Sequence, residues 1–326
     1  MPDLHELCRD RDLVTPELHE SNDFYGHAAL LKRYASRSPL RSLKAAIEHG
    51  VILNDYVWDN DARCGMPLFL CASPRRAELF AARAAGTRAV PIGPMPHYAA
   101  AGMPPATTPA KKILLAFPSH SSHRVRSVFD ANAFADRLEQ VGKEFDAVHV
   151  CIYWRDVEIG LDREFAARGF HCVSAGHMFD PAFLPRLLTL LREATLVMTN
   201  EVGSSVLYAA YAGKPVWIEP QKVEYVAPEE ILAVDVPAHL DHPNVKRLQA
   251  LFAEPRGDLS AEQRDFTTEL MGTRYVKTPG EISTLLDEAA QQYRANLTLA
   301  RRVRDGARRL HYVRGRVKQE LKNRWR

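Results

Sequence analysis

The sequence predicts an α/β fold with two Rossmann-like domains, each built on a parallel sheet. Short, nearly continuous apolar runs recur through residues 111–220 with helical stretches between them. Strands of a parallel sheet that is covered on both faces have this pattern. The chain has 326 residues, 46% of them hydrophobic, which is the length at which two domains are expected. We predict domains at 1–108 and 109–285, followed by a basic helical tail at 286–326.

Residues 1–108 carry the less regular of the two patterns. Turn residues and apolar runs alternate there, and they predict a helix at 26–34, an apolar run at 43–47, a strand at 68–70, a helix at 74–85 and a strand at 89–92. The following segment, 93–109, is rich in proline and glycine and has no hydrophobic period. Such segments typically connect domains, so we predict an irregular interdomain linker.

The second domain gives the clearer signal. Its apolar runs predict strands at 113–117, 147–153, 170–173, 196–199 and 215–218. Phe134, Leu138 and Val141 have helical spacing between two of these runs. Asp180 and Pro181 precede another helix-spaced run, and they predict an N-cap followed by a proline at the first helical position.

The tail is predicted to form an amphipathic helix with an apolar stripe and many arginines. Residues 294–326 hold 12 Lys or Arg and two acidic residues, so the tail carries about +10 and the rest of the chain about −7. Three interpretations remain open, namely docking on an anionic membrane, packing across both domains, and nucleic-acid binding. We favour the membrane for the distal end and disfavour nucleic acid, since no recognition motif accompanies the charge.

Composition limits the location and the chemistry. The chain start has no apolar segment of signal-peptide type, and no run approaches the roughly 18 residues of a membrane span. We therefore predict a cytoplasmic protein that docks peripherally at the inner membrane face. The cysteines argue against structural zinc and a disulfide framework, because they are odd in number and form no CxxC pair. They are Cys8, Cys64, Cys71, Cys151 and Cys172.

Polar loops follow the predicted strands of the second domain, where a doubly wound sheet binds its ligands. The first such loop offers hydroxyls and imidazoles to phosphate or sugar oxygens through Ser119, His120, Ser121 and Ser122. The next loop places the carboxylate of Asp156 beside aromatic residues. In a third loop Gly176 allows close backbone approach and His177 supplies a ring donor.

The fourth loop is the most specific. Here a strand ends at Thr199, Glu201 follows, and Gly203, Ser204 and Ser205 stand at the start of a small-residue helix. Backbone amides at a helix N-terminus favour an anion, and the serine hydroxyls converge on the same place. The pattern predicts a phosphate site.

The stretch 169–218 resembles the donor-binding half of GT-B glycosyltransferases of capsule, O-antigen and lipopolysaccharide assembly. The pairing of Gly176-His177 with Ser204-Ser205 is similar to the His and Ser-Ser motifs of bacterial sialyltransferases. The resemblance implies that His177 contacts the nucleotide and that Ser204 and Ser205 bind its phosphate. It also implies a nucleotide-sugar co-substrate, CMP-linked by preference or UDP-linked, and a polysaccharide or lipid-linked glycan as acceptor.

The first domain contributes candidates for the catalytic base. His49-Gly50 is similar to the His-Gly of several polysaccharide transferases, including the CDP-glycerol-dependent polymerases of teichoic acid synthesis. Asp23 belongs to a second polar cluster at 22–27. Either Asp23 or His49 is a candidate base for an inverting transfer, with Asp156 as a further catalytic candidate, and the choice between inversion and retention stays open.

No DxD carboxylate pair follows a predicted strand. We therefore expect a metal-independent enzyme without a permanently bound cofactor. Three alternatives are kept: a CDP-alcohol phosphotransferase, a nucleotide-sugar epimerase, and a non-catalytic nucleotide-sugar-binding partner within a polysaccharide assembly complex.

Overall fold

The computed structural model shows two parallel sheets flanked by helices, which confirms the predicted α/β fold. It describes the chain except for residues 1–2, 11–12, 14, 85, 108, 123, 229–240, 299–302, 304, 308–309, 311, 313 and 315–326. The two sheets lie in two Rossmann-like domains that meet at a cleft.

The first domain has a three-stranded parallel sheet in the order β1-β2-β3. Its elements are α2 (His27–Tyr34), β1 (Ala45–Ile47), α3 (Asp59–Ala62), β2 (Leu68–Cys71), α4 (Pro74–Arg83), β3 (Arg88–Pro91) and α5 (Met95–Ala100), after α1 (Leu4–Cys8) at the start of the chain. Ser73 caps α4 by accepting a hydrogen bond from the backbone of Arg76, as the sequence Ser-Pro favours. Phe80 of α4 stacks on Phe69 of β2 with 3.8 Å between ring centroids, so this helix is fixed on one face of the sheet.

The second domain has a five-stranded parallel sheet in the order β7-β6-β4-β8-β9. Its elements are β4 (Ile113–Phe117), β5 (Arg126–Val128), α6 (Ala131–Gly142), β6 (Ala147–Cys151), α7 (Trp154–Glu158), α8 (Leu161–Ala167), β7 (His171–Val173), α9 (Phe183–Glu193), β8 (Leu196–Thr199), α10 (Ser204–Tyr211) and β9 (Val216–Ile218). The five predicted strands are confirmed. Strand order reverses between β4 and β8, and this reversal is where an open α/β sheet leaves a crevice for ligands.

Further elements follow the second sheet. They are β10 (Glu224–Val226), α11 (Pro243–Leu251), α12 (Ala261–Met271) and α13 (Pro279–Ala295). Strand β10 pairs antiparallel with β5 in a two-stranded ribbon. Ser260 and Gln263 form a capping box at the start of α12.

Two local expectations are wrong. The expected irregular linker contains α5, whose Tyr98 and Ala99 are buried; its prolines lie at the helix start, where they are tolerated. The helix expected after Asp180 begins only at Phe183. Asp180 instead accepts a hydrogen bond from the backbone of Ala182, 2.9 Å away, so it closes a turn before the helix.

The first helix of the chain packs on the second domain, and α13, late in the chain, packs on the first. Helix α1 packs on α7 of the second domain, and Cys8 is buried in that domain's core. Helix α13 lies on the first domain, where Arg37 forms an ion pair with Asp287 at 2.5 Å. The predicted boundaries at 108 and 285 stay predictions, and α13 spans the second of them.

Most of the predicted basic tail helix falls outside the described residues. Among those that are described, Asp305 accepts a hydrogen bond from the Tyr293 hydroxyl at 3.0 Å and lies 3.5 Å from the Lys44 ammonium. Tyr312 is buried. The beginning of the tail thus contacts the first domain. Over the described parts of the chain, no helix has the length and apolar character to cross a bilayer.

Candidate functional site

A cavity of about 250 Å³ lies between the domains at the carboxyl ends of the second sheet. The loops after β4, β6, β7 and β8 form its floor, α9 and α10 form one wall, and the first domain closes it. The polar residues that line it are Tyr25, His49, Ser119, His120, Tyr153, Ser174, Thr199, Glu201, Ser204, Ser205 and Tyr208. The structure therefore brings seven of the predicted site residues together: His49, Ser119, His120, Glu201, Gly203, Ser204 and Ser205.

The N-terminus of α10 opens into this cavity. Gly203 is the N-cap residue in an extended conformation, and Ser204 and Ser205 form the first turn. The first backbone N–H groups of a helix have no partner within the helix, and they carry its positive dipole end. The opposite wall is close, since a Cβ atom on Gly50 would lie 3.5 Å from the Ser204 hydroxyl oxygen. An anion placed there contacts both domains.

A buried network fixes the carboxylate of Glu201 at the cavity floor. Asn200 accepts a hydrogen bond from the backbone N–H of Ser119 at 2.6 Å. The Ser119 hydroxyl donates to Glu201, and because it has only one proton, the Ser127 hydroxyl must donate to Ser119. Burial raises the pKa of Glu201, although the Ser119 hydrogen bond opposes the shift. The Ser119 hydroxyl thus fixes the orientation of the Glu201 carboxylate at the cavity floor.

His120 stands beside Tyr153 at the cavity mouth, with 4.8 Å between ring centroids. Its ring reaches solvent, but the enclosing walls of the cleft lower its pKa through desolvation. A neutral imidazole has one donor and one acceptor nitrogen. His120 can therefore bind either a hydroxyl or a base edge.

His49 reaches the cavity from the end of β1. Its Nε2 atom lies 3.2 Å from the Tyr25 hydroxyl, and the ring of Phe24 packs on it at 4.7 Å. Of the three predicted catalytic residues, His49 is the one that lines the cavity.

Asp156 and the serines after Ser119 hold a loop together. The Asp156 carboxylate accepts hydrogen bonds from the backbone N–H of Ser121 at 3.0 and 3.2 Å, and burial raises its pKa to about 6. The Ser121 hydroxyl accepts from the Ser127 backbone at 3.1 Å. The Ser122 hydroxyl accepts from the two following turn amides. These three residues lie outside the cavity lining, and their predicted roles stay predictions.

Asp23, Gly176 and His177 also lie outside the lining. Asp23 accepts a hydrogen bond from Thr15 at 2.6 Å, and burial raises its pKa to about 7. His177 is 1% exposed, packs on Trp154 at 4.1 Å, and accepts a hydrogen bond from the backbone of Phe179.

Gly176 has a φ of +96°, and a Cβ atom there would clash with the guanidinium of Arg186. His177 and its glycine thus contact protein loops, and nucleotide contact stays a prediction for both.

Sequence reasoning missed the aromatic part of the site. Tyr25, Tyr153, Phe183 and Tyr208 line the cavity, and each comes from a different segment of the chain. Tyr25 and Phe183 approach to 4.7 Å across the domain boundary. Of these four residues, only Tyr153 lies in a loop that the strand pattern marks as a ligand-binding loop. The positions of the other three depend on how distant segments pack together, which the sequence pattern does not show.

The described residues contain no cluster of three or more His, Cys, Asp or Glu side chains that could hold a metal ion.

No protein-family model matches the chain, and no curated protein matches it. Some solved structures are similar to it. UDP-GlcNAc 2-epimerase from Neisseria meningitidis bound to UDP-GlcNAc is 11% identical with a TM-score of 0.37, over 81% of this chain and 73% of that one. The wall teichoic acid polymerase TagF is 10% identical with a TM-score of 0.41, over 77% and 68%.

A mutant of S. aureus TarM in complex with fondaparinux, alpha-GlcNAc-glycerol and UDP is 10% identical with a TM-score of 0.30, over 85% of this chain and 51% of that one. The two parallel sheets of this chain define its fold. Two Rossmann-like domains that face each other across a cleft make up the GT-B arrangement, the fold class expected from the sequence.

Proposed function

We propose that the chain is a glycosyltransferase that moves a sugar from a nucleotide donor to a polysaccharide or lipid-linked glycan acceptor. The observation that carries the proposal is the cavity at the strand-order reversal, where the first turn of α10 faces His49 across the cleft. Anion-binding amides on one wall and a base on the other are the two parts that group transfer from a nucleotide requires. A CMP-sugar is the favoured donor and a UDP-sugar the second choice, in the assembly of capsule, O-antigen or lipopolysaccharide.

The donor phosphate binds at Gly203, Ser204 and Ser205. Negative charge grows on the phosphate oxygen as the bond to the sugar breaks, and preorganised amides and hydroxyls stabilise it. Ser119, His120 and Glu201 line the same cavity, and they supply hydrogen-bonding partners for the nucleoside.

Bond making takes place between the two walls. His49 accepts the proton of the acceptor hydroxyl as the hydroxyl oxygen bonds to the anomeric carbon of the sugar. The bond from that carbon to the phosphate oxygen breaks, and its electron pair leaves with the nucleotide. A new glycoside, a nucleotide and a protonated His49 result, and solvent takes the proton.

Replacement of both Ser204 and Ser205 by alanine tests the phosphate site. Thermal shifts with CMP, CDP, UDP, GDP and their sugars first identify the nucleotide. We expect its Kd to rise about tenfold in the double variant and turnover to fall about ten- to a hundredfold, because two donors are lost.

Ser73→Ala is the matched control, since Ser73 caps α4 outside the cavity. It should lower Tm through loss of a cap and leave the nucleotide Kd unchanged. If the double variant keeps wild-type affinity and turnover, the donor phosphate does not bind at the start of α10.

Chelation tests metal independence. The amides and hydroxyls at α10 are proposed to neutralise the leaving phosphate without a cation. Transfer is expected to continue at the same rate in excess EDTA, measured as glycoside formed per unit time. Loss of activity that only added Mg²⁺ restores would contradict this part of the proposal.

We also propose that the basic tail docks the enzyme on the inner membrane face. The tail carries 12 Lys or Arg over residues 294–326, and each basic residue near an anionic surface contributes about 1 kcal/mol. Removal of residues 311–326, which hold six of these twelve basic residues, is expected to reduce sedimentation with vesicles of mixed neutral and anionic lipids while leaving the nucleotide Kd unchanged. Equal binding of both forms to these vesicles would refute the docking role.

A further inference from the structure

Tyr208 lies on α10, one helical turn beyond the two serines that begin the helix. Residues three and four positions apart share a face of a helix, so Tyr208 stands on the same side as Ser205 and Ser204. A long side chain on a helix leans toward the N-terminus, and the Tyr208 side chain lines the cavity. One helix therefore presents both a phenol and the proposed phosphate site to the same cavity.

The Tyr208 hydroxyl faces the cavity from a nearly buried position. The residue is 5% exposed, and over the described part of the chain its hydroxyl has no hydrogen-bond partner. The other two tyrosines of the cavity differ, since the hydroxyls of Tyr25 and Tyr153 bond to each other. Burial raises the pKa of Tyr208, so the phenol keeps its proton at neutral pH and can both donate and accept. An unpaired buried hydroxyl costs free energy, and a ligand that pairs with it recovers that cost.

The position of Tyr208 decides which part of a nucleotide sugar it can meet. The Tyr25 phenol, which lies 3.2 Å from Nε2 of His49, acts electrostatically on Tyr208, so Tyr208 lies on the His49 side of the cavity. The transferred sugar must lie between the start of α10 and His49, because its anomeric carbon leaves the phosphate oxygen and bonds to the acceptor oxygen. The proposed nucleoside contacts come instead from the loops after β4 and β8.

Apolar side chains surround this end of the cavity. Phe183 and Leu187 come from α9, which packs on α10, and both line the cavity. Phe183 also packs on Tyr25 with 4.7 Å between ring centroids. In such surroundings a hydrogen bond is little weakened by water, and a polar group left without a partner is costly. A single phenol in an apolar wall is therefore suited to discriminate between ligands that differ by one hydroxyl.

We propose that the Tyr208 phenol binds a hydroxyl of the transferred sugar, an inference that rests on the proposed function. Tyr208 is then a specificity residue for the sugar and not for the nucleotide. The donor sugar carries a free hydroxyl at the position turned toward α10, and a sugar that is deoxygenated there loses this bond.

The test is Tyr208→Phe, which keeps the ring and removes only the hydroxyl. The probes are CMP, UDP and GDP, each compared with its sugar-linked forms by titration calorimetry. For the sugar-linked nucleotide that the wild type binds best, we expect Kd to rise about three- to tenfold, while Kd of the matching free nucleotide stays within about twofold. The Tm of the ligand-free protein should stay the same or rise, whereas loss of a structural hydrogen bond would lower it.

Tyr211→Phe is the matched control, since Tyr211 lies on the same helix and its hydroxyl is 3.4 Å from Nδ1 of His97, outside the cavity lining. It should change neither Kd. If the wild type binds no sugar-linked nucleotide, the proposed function and the sugar contact are both wrong. If it binds one and Tyr208→Phe leaves that Kd unchanged, only the sugar contact is wrong. An equal rise in both Kd values would place Tyr208 against the nucleotide and would also overturn the sugar contact.

Discussion

Replacement of His49 by glutamine is expected to lower kcat/KM for transfer by about 10²- to 10⁴-fold, the usual contribution of a general base. Glutamine retains a polar side chain of similar size but cannot take up a proton. The nucleotide Kd should change little, because the proposed phosphate site is at the start of α10, across the cavity. Initial rates over a range of acceptor concentrations, together with nucleotide binding, separate the two effects.

Two further variants make the result specific. His97→Gln removes a histidine of α5 whose Nδ1 lies 3.4 Å from the Tyr211 hydroxyl, and it should leave turnover unchanged. Asp23→Asn tests the rival base. Asp23 lies outside the cavity lining and has a pKa raised to about 7 by burial. If kcat/KM falls strongly in Asp23→Asn and stays near the wild-type value in His49→Gln, then Asp23 is the base.

The strands of the second domain were predictable because the sheet itself imposes the pattern. Strands β4 and β8 are central in the sheet, and helices cover both of their faces. Such strands are mostly apolar, so Ile113–Phe117 and Leu196–Thr199 stand out as short apolar runs. The start of α10 was predictable from local chemistry alone, since Gly203, Ser204 and Ser205 are typical of a helix N-terminus.

Contacts between distant segments were not predictable in this way. His177 and His49 both stand next to a glycine in loops after strands, yet His177 packs on Trp154 whereas His49 faces the cavity. Nothing local distinguishes them, because packing against residues distant in sequence, such as Trp154 for His177, decides which ring is covered. The same holds for Tyr25, whose conformation depends on Met178, and for α13, which lies on the first domain through Arg37.

Replacement of Arg76 by methionine is expected to lower the free energy of unfolding by about 3–5 kcal/mol, the usual cost of leaving one partner of a buried ion pair alone. The two side chains are 6% and 3% exposed, with Arg76 Nε 2.7 Å from the Glu48 carboxylate. Arg76 also donates to the carbonyls of Asn54 and Tyr56. It thereby holds the loop that follows His49. Denaturant unfolding at constant pH measures the loss.

Arg75→Met is the matched control, because Arg75 pairs with Asp55 at the surface, where the side chains are 61% and 55% exposed. Its loss should cost at most about 1 kcal/mol. Glu48→Leu combined with Arg76→Met should recover much of the stability, since neither partner of the pair is then left as an unpaired buried charge.

The pH dependence of the Arg76 variant gives an independent check. Burial already raises the pKa of Glu48 in the native pair, and the Arg76 charge is the largest influence that opposes the shift. Without that charge the folded-state pKa rises further above the unfolded value, so stability is retained at low pH and lost as pH increases. The difference between Arg76→Met and wild type should therefore be larger at pH 8 than at pH 5. Equal differences at both pH values would mean that Glu48 gains water or another partner when Arg76 is removed.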